Sequence, residues 1–171
     1  MRGHPVPHLR TARLELKPFT QHLAREALED RQRFEAALGV RVHPAWPGRD
    51  VAEALPFFSS QPALGEWDTL LVHREDAVLV GDMGFKGGPD EQGDVELGYS
   101  VVPEYRQQGL ATEAARAMVA WAFQQPGVRA VVAECLRDNA ASIGVLRRVG
   151  FRPVPSEEPL LLRWRLSSGR D

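Results

Sequence analysis

Residues 68–102 restrict the possible folds more than any other stretch of this chain. Three strand-like runs follow one another there: residues 68–73, carrying Leu70, Leu71 and Val72; residues 77–85; and residues 94–102. The charged turn Arg74-Glu75-Asp76 separates the first two, and a glycine-bounded turn from Gly87 to Gly93 separates the second two. Connections this short cannot hold a crossover helix, so the three runs are expected to pair as an antiparallel meander.

The flanking segments set the rest of the order. Residues 11–18 put Leu14 and Leu16 on one face of a strand that Pro18 stops. Residues 19–38 read as helical in two stretches. Leu23, Ala27 and Leu28 share one face, Phe34, Ala37 and Leu38 share another, and Gly39 ends the pattern. Prolines and glycine mark residues 43–48 as a loop, and Asp50 is expected to cap a short helix ending before Pro62. Residues 110–125 form a helix with Ala114, Met118, Trp121 and Ala122 as its buried stripe and Pro126-Gly127 as terminator. Residues 128–135 are a strand. Asp138 or Asn139 caps a helix through Val149, closed by Gly150, and residues 151–154 and 160–166 supply the last strands. The final five residues are expected to fray. This order predicts an α+β domain with a mixed sheet and helices on its faces.

Composition narrows the function classes. A chain of 171 residues suits one domain, residues 1–171, with its core over about 11–166. A net charge of −2 provides no field for nucleic acid or an anionic membrane. No run approaches the ~20 apolar residues of a membrane-spanning helix. Prolines and a histidine occupy the first seven residues where a signal peptide needs an apolar core, so a cytoplasmic location is the default expectation. The single cysteine, Cys135, lies in an apolar run and reads as a buried small hydrophobe rather than a nucleophile. His4, His8, His22, His43 and His73 are scattered, none beside an acid at a telling spacing, and no metal site is expected.

The junction between the third meander strand and the long helix carries the chemistry: Val101-Val102-Pro103-Glu104-Tyr105-Arg106-Gln107-Gln108-Gly109-Leu110-Ala111-Thr112. A helix N-terminus presents unpaired N–H groups and a partial positive charge, which suit an anion if side chains do not crowd it. Gly109 permits close approach and an unusual dihedral, Ala111 adds almost no bulk, and Arg106 adds a charge. On these grounds alone an ordinary helix start remains the commoner explanation. A Walker turn is excluded, since no glycine-lysine-serine or -threonine group is present, and the dinucleotide glycine triplet is absent.

In this context the chain resembles the GCN5-related N-acetyltransferases, whose marker is Arg or Gln, two residues, Gly, one residue, then Gly or Ala, between a strand and a helix. Arg106-x-x-Gly109-x-Ala111 meets it. Glu96-Leu97-Gly98-Tyr99 looks like the family's fourth strand, and Asn139-Ala140-Ala141-Ser142 followed by Gly150-Phe151 looks like its asparagine-bearing helix and terminal turn. Thr11-Ala12-Arg13-Leu14 looks like the opening strand of the ribosomal-protein N-terminal acetyltransferase branch. The resemblance implies a mostly antiparallel sheet of six to seven strands with helices on both faces and a splayed parallel pair at the cofactor site. It implies acetyl-CoA as donor substrate, with no metal. The amides of Gln107, Gln108, Gly109, Leu110, Ala111 and Thr112, with Arg106, would hold the pyrophosphate. The backbone of Val101 and Val102 would hold the pantetheine arm like an added strand. Asn139 would reach the pantetheine or thiol end, act as a plain helix cap, or do both. The acceptor would be a peptide or small-molecule amine, and a homodimer is compatible with the family.

Transfer from a thioester to an amine needs positioning, removal of the amine proton, stabilisation of the carbonyl oxygen and departure of the thiolate. Glu96 is the candidate base, acting through water; a solvated or salt-bridged strand glutamate is the competing explanation. Many family members carry a tyrosine four residues before the helix-ending glycine, where this chain has Leu146. Ser142 resembles the serine of the ribosomal-protein branch and is the candidate for hydrogen-bonding or protonating the sulfur, against a plain helix-face serine. Trp46, Phe57, Phe58 and Trp67 fall where the family builds its acceptor pocket, though core packing accounts for any one of them. An enzyme acting on a primary amine is the expected function; a CoA-binding regulatory module without catalysis is the alternative.

Overall fold

The computed structural model describes residues 6–169, apart from the side chains of Pro62 and Leu64, so His4 lies outside it. Among the described residues the elements run β1 (Leu9–Arg10), β2 (Leu14–Pro18), α1 (Gln21–Glu29), α2 (Arg31–Leu38), β3 (Arg41–Val42), α3 (Arg49–Ser60) and α4 (Pro62–Gly65). Then follow β4 (Asp68–His73), β5 (Val78–Phe85), β6 (Asp94–Val101), a 3-10 turn (Pro103–Tyr105), α5 (Leu110–Ala122), β7 (Ala130–Leu136), α6 (Ala140–Val149), β8 (Arg152–Val154) and β9 (Leu161–Ser167). All nine strands join one sheet in the order β1-β2-β4-β5-β6-β7-β9-β8, with β3 beside β5. The count exceeds the expected six to seven because β1 and β3 span only two residues each, too few to show a period. β9 extends through Ser167, one residue into the stretch expected to fray, because Ser167 pairs with Ala130.

The meander forms as expected: β4, β5 and β6 pair antiparallel. Two parallel contacts complete the sheet, β3 with β5 and β6 with β7. The helical region divides at Asp30, whose carboxylate caps α2 by accepting from the amides of Gln32 and Arg33 at 2.9 and 3.1 Å. Gly39 ends α2 in the left-handed conformation. Leu28 and Ala37 are exposed, and α1 buries Ala24 and Glu26 instead. Gly48, not Asp50, is the cap of α3, and Asp50 sits in its first turn.

Helices cover both faces of the sheet. On one, Trp121 of α5 stacks against Phe85 of β5 at 6.3 Å between ring centroids, and the predicted stripe of Ala114, Met118, Trp121 and Ala122 is buried. On the other, Phe34 of α2 stacks on Trp46 at 5.3 Å, and the Trp46 indole N–H donates to Asp82 of β5. β5 is buried along its whole length as a result.

Candidate functional site

The site is organised by what α5 lacks. Its N-cap is Gly109, in the left-handed region at φ 79°, with no side-chain cap. The first intrahelical bond runs from the Glu113 amide to the Gly109 carbonyl, so the amides of Leu110, Ala111 and Thr112 have no helical partner. Gln107 also lies at positive φ, 60°, a conformation that costs a non-glycine residue roughly 1–2 kcal/mol. Two left-handed residues within three turn successive amides toward one side, the arrangement that builds an anion-binding concavity.

A cavity of about 1250 Å³ opens against this turn. The turn residues Arg106, Gln107 and Gly109 through Thr112 line one wall, Tyr99, Ser100 and Val101 of β6 a second, and Asn139 through Ser142 of α6 a third. Gln108 and Val102 are not part of the lining. Arg13, Arg106, Arg116 and Arg148 all are, so the cavity has a cationic rim that complements a diphosphate. Of these only Arg106 was expected from the sequence; Arg13, Arg116 and Arg148 were not, and Arg13 is the one tied to the turn itself. Its guanidinium donates to the Gln108 carbonyl at 2.6 Å and to Glu113 at 2.9 Å, and its backbone amide donates to the same carboxylate at 2.9 Å.

The second organising feature is a parting of strands. β6 and β7 pair from Asp94–Ala130 to Leu97–Ala133 and then separate, although both continue. The Val102 amide donates to Val80 at 2.8 Å, and the Lys86 amide donates to Glu96 at 2.9 Å. Even-numbered residues of β6 therefore spend their backbone groups on β5, and odd-numbered ones face β7. Beyond Leu97 those outward groups belong to Tyr99 and Val101. The Val101 carbonyl accepts from Arg106 Nε at 2.7 Å, which folds the arginine over the cavity. Val102 is fully engaged elsewhere, since its carbonyl also accepts from the Tyr105 amide at 3.0 Å.

Asn139 caps α6, its side-chain oxygen accepting from the Ser142 amide at 3.1 Å. Both residues line the cavity, so the cap and a ligand contact are geometrically compatible. Ser142 stands beside Tyr99, whose hydroxyl oxygen is enclosed and makes no full hydrogen bond in the protein. Burial pushes the Tyr99 phenol up, the approach of Ser142 pulls it partway back, and Cys135 adds to the rise, so the hydroxyl keeps its proton at neutral pH. Tyr99 thus brings a protonated tyrosine to the cavity wall, on a strand rather than on the helix where Leu146 stands. Cys135 itself is buried.

Glu96 does not line the cavity. It faces the other side of the sheet, where its carboxylate pairs with Lys86 at 3.2 Å. That face holds a feature not foreseen from the sequence. Asp82 accepts from Trp46 Nε1 and from Ser100 Oγ, both at 3.0 Å and both on Oδ2. Asp68 lies diagonally across from it, its carboxylate filling the space that a side chain on Gly84 would need. Burial pushes both acids up, Asp68 to about 8 with a further push from Asp82, and Asp82 to about 6 despite its two hydrogen bonds.

The remaining candidates divide. Trp46 is core, Phe58 packs edge-on against Phe19, and Trp67 packs against Trp121 on the α5 face. Phe57 is 58% exposed. Three of the histidines do meet acids: His43 stands 3.1 Å from Glu104, and His73 stands 3.5 Å from Asp76, three residues on. His8 stands 3.6 Å from Glu15. No group of three or more metal-ligating side chains occurs among the described residues, and no helix is long and apolar enough to cross a membrane.

Comparison with known proteins agrees with this geometry. A family model described as an acetyltransferase (GNAT) domain matches residues 13–152. The uncharacterized N-acetyltransferase YjdG of Bacillus subtilis is 30% identical over 150 residues, 84% of this chain and 88% of that protein. Two solved structures share the fold. The ribosomal-protein-S5-alanine acetyltransferase of Vibrio fischeri has a TM-score of 0.67 at 13% identity, covering 96% of this chain and 98% of that one. The ribosomal L7/L12 alpha-N-protein acetyltransferase RimL, in complex with coenzyme A, has a TM-score of 0.65 at 16% identity, covering 92% and 95%. With the marker turn at the uncapped start of α5 and the family model spanning most of the chain, the protein belongs to the GNAT family and is an acetyl-CoA-dependent N-acetyltransferase.

Proposed function

We propose that the acetyl group passes directly from the thioester to a primary amine, with the acceptor approaching from the Glu96 face of β6 and the donor from the opposite face. The parting of β6 from β7 after Leu97 carries this reading, because it opens a passage between the two faces beside the cationic cavity. The amides of Gln107 to Thr112, with Arg106 and Arg13, hold the pyrophosphate, Val101 receives the pantetheine arm, and Asn139 and Ser142 border the thiol end. Val102 contributes by fixing the strand end rather than by offering free backbone groups.

In the transfer, the neutral amine nitrogen attacks the carbonyl carbon, a C–N bond forms and the C–S bond breaks. Glu96, acting through water, takes the ammonium proton. The departing thiolate takes a proton from the Tyr99 hydroxyl, relayed or supported by Ser142. Buried Cys135 is not suited to an acyl-enzyme step. No observation favours a non-catalytic module. Likeness to the ribosomal-protein enzymes supports a peptide N-terminus as one acceptor class; a cytoplasmic setting and a homodimer belong to the same proposal.

The test is calorimetry with acetyl-CoA, followed by thiol release and mass spectrometry across amines, amino acids, aminoglycosides and peptides. Saturable binding with acceptor-dependent thiol release is expected. Absence of acetyl-CoA binding at millimolar concentration overturns the proposal.

A further inference from the structure

Asp82 is 8% exposed, and both of its hydrogen bonds fall on Oδ2, leaving Oδ1 without a hydrogen-bond partner among the described residues. Among the described residues, Asp68 beside it accepts no side-chain hydrogen bond, and no lysine, arginine or histidine pairs with either acid. Asp50, in the first turn of α3, adds a third negative charge within electrostatic reach of Asp82. Burial and neighbouring acid charge favour the neutral form of each acid, and a cation placed beside the pair would hold both as carboxylates.

The surroundings suit a ligand. Gly84 and Gly98 are cross-strand partners and pave the sheet between the Asp68–Asp82 pair and the Glu96–Lys86 pair. A side chain on Gly84 would collide with Asp68, whereas the space over Gly98 is open, its nearest neighbour being the Lys86 side chain at 3.9 Å. Ser100 joins this face to the donor side: its hydroxyl holds Asp82, and the residue also lines the donor cavity. The acidic pair therefore lies one side chain from the passage through which the acetyl group moves.

The reacting amine must surrender its proton, so it cannot remain the counter-ion of these carboxylates through the reaction. Resting on the reading of the donor site above, we infer that Asp82 and Asp68 bind a second, non-reacting cationic group on the acceptor, which is a diamine, a polyamine or a chain with a basic group near its reactive amine. Gly98 gives the linking alkyl segment room to lie against the sheet, and Glu96 stands at the reacting end.

The experiment compares acceptors matched in length: α,ω-diaminoalkanes of three to eight carbons against the corresponding monoaminoalkanes, and peptides whose second residue is lysine against norleucine. The wild-type protein is expected to favour the dicationic member of at least one pair by tenfold or more in kcat/KM, mainly through KM. Asp82→Asn and, separately, Asp68→Asn should bring that ratio close to one, with acetyl-CoA affinity by calorimetry showing that each variant is folded. Failure to bind acetyl-CoA in the wild type overturns the donor reading and this inference with it. Donor binding without preference in any pair, transfer to none of them, or a preference that survives both substitutions overturns this inference and leaves the donor reading standing.

Discussion

Arg13 and Glu113 hold each other at 2.9 Å across a separation of 100 residues. Thr11 Oγ1 donates to the same carboxylate at 2.6 Å, so the start of β2 is latched to the first turn of α5. Burial alone would raise the Glu113 carboxyl, but the hydrogen bonds from Thr11 and Arg13 outweigh it and hold it below the usual range. A carboxyl lowered by folding contributes stability above its unfolded pKa and loses it as pH falls through the folded value. Glu113→Gln should therefore cost about 1 kcal/mol at pH 7 and progressively less below pH 4. Urea midpoints of the two proteins across that range check it; a gap that does not narrow in acid sinks the account.

The acidic pair behaves in the opposite sense. Folding raises Asp82 to about 6 and Asp68 to about 8, so the fold favours their neutral forms. Their stability contribution is intact below the ordinary carboxylate pKa and is lost as pH rises through the folded values. Asp68→Asn is expected to match the wild type near pH 4 and to exceed it in stability at pH 8.5. Thermal melts at both pH values decide this, and equal melting temperatures at pH 8.5 would count against a buried, uncompensated carboxylate.

Gly109→Ala should weaken acetyl-CoA binding. Alanine at φ 79° costs roughly 1–2 kcal/mol, and its methyl would stand 3.3 Å from the Arg13 guanidinium. A five- to thirtyfold rise in dissociation constant is expected by calorimetry. Unchanged affinity would mean that the turn is not the pyrophosphate site.

Tyr99→Phe removes one hydroxyl and leaves the ring that lines the cavity. The expected result is a fall in kcat of tenfold or more, with acetyl-CoA affinity within a factor of two of wild type. A donor thioester with a more acidic leaving thiol should recover much of the rate, because it needs less protonation on departure. If that thioester is slowed as much as acetyl-CoA, the phenol is not the proton source.

Glu96→Gln tests the base. Turnover should drop and the rising acid limb of its pH profile should disappear, while donor binding stays intact. A profile of unchanged shape assigns Glu96 to the Lys86 ion pair alone.

The meander, both glycine-ended helices and the uncapped turn were legible because each rests on a local rule: alternation, a cap, or a glycine stop. Leu28 and Ala37 were misplaced because a periodic stripe does not reveal that a helix breaks at Asp30 and changes direction. Arg13 escaped notice since nothing local ties it to Gln108 or Glu113. Asp68 and Asp82 were hidden for a different reason. Each sits in an apolar strand, and only cross-strand register places one beside the other and over Gly84. Tyr99 was read only as part of the Glu96-Leu97-Gly98-Tyr99 strand, because alternation says which way a side chain points and not what stands opposite it. His73 and Asp76 were three residues apart and could have been paired from spacing alone.

The early end of the β6–β7 ladder leaves the sheet one strand short in its interior. The backbone groups of Tyr99 and Val101 form an edge within the molecule, and an extended amide-bearing arm can complete it. Assembly of the full sheet is then a two-component process, and thermodynamic linkage makes its stability a function of donor supply. A ligand present at a hundred times its dissociation constant adds about 2.7 kcal/mol. Amide hydrogens at Tyr99 and Val101 should exchange rapidly in the free protein and slow sharply on saturation, so the melting temperature of this enzyme would report how much acetyl-CoA surrounds it.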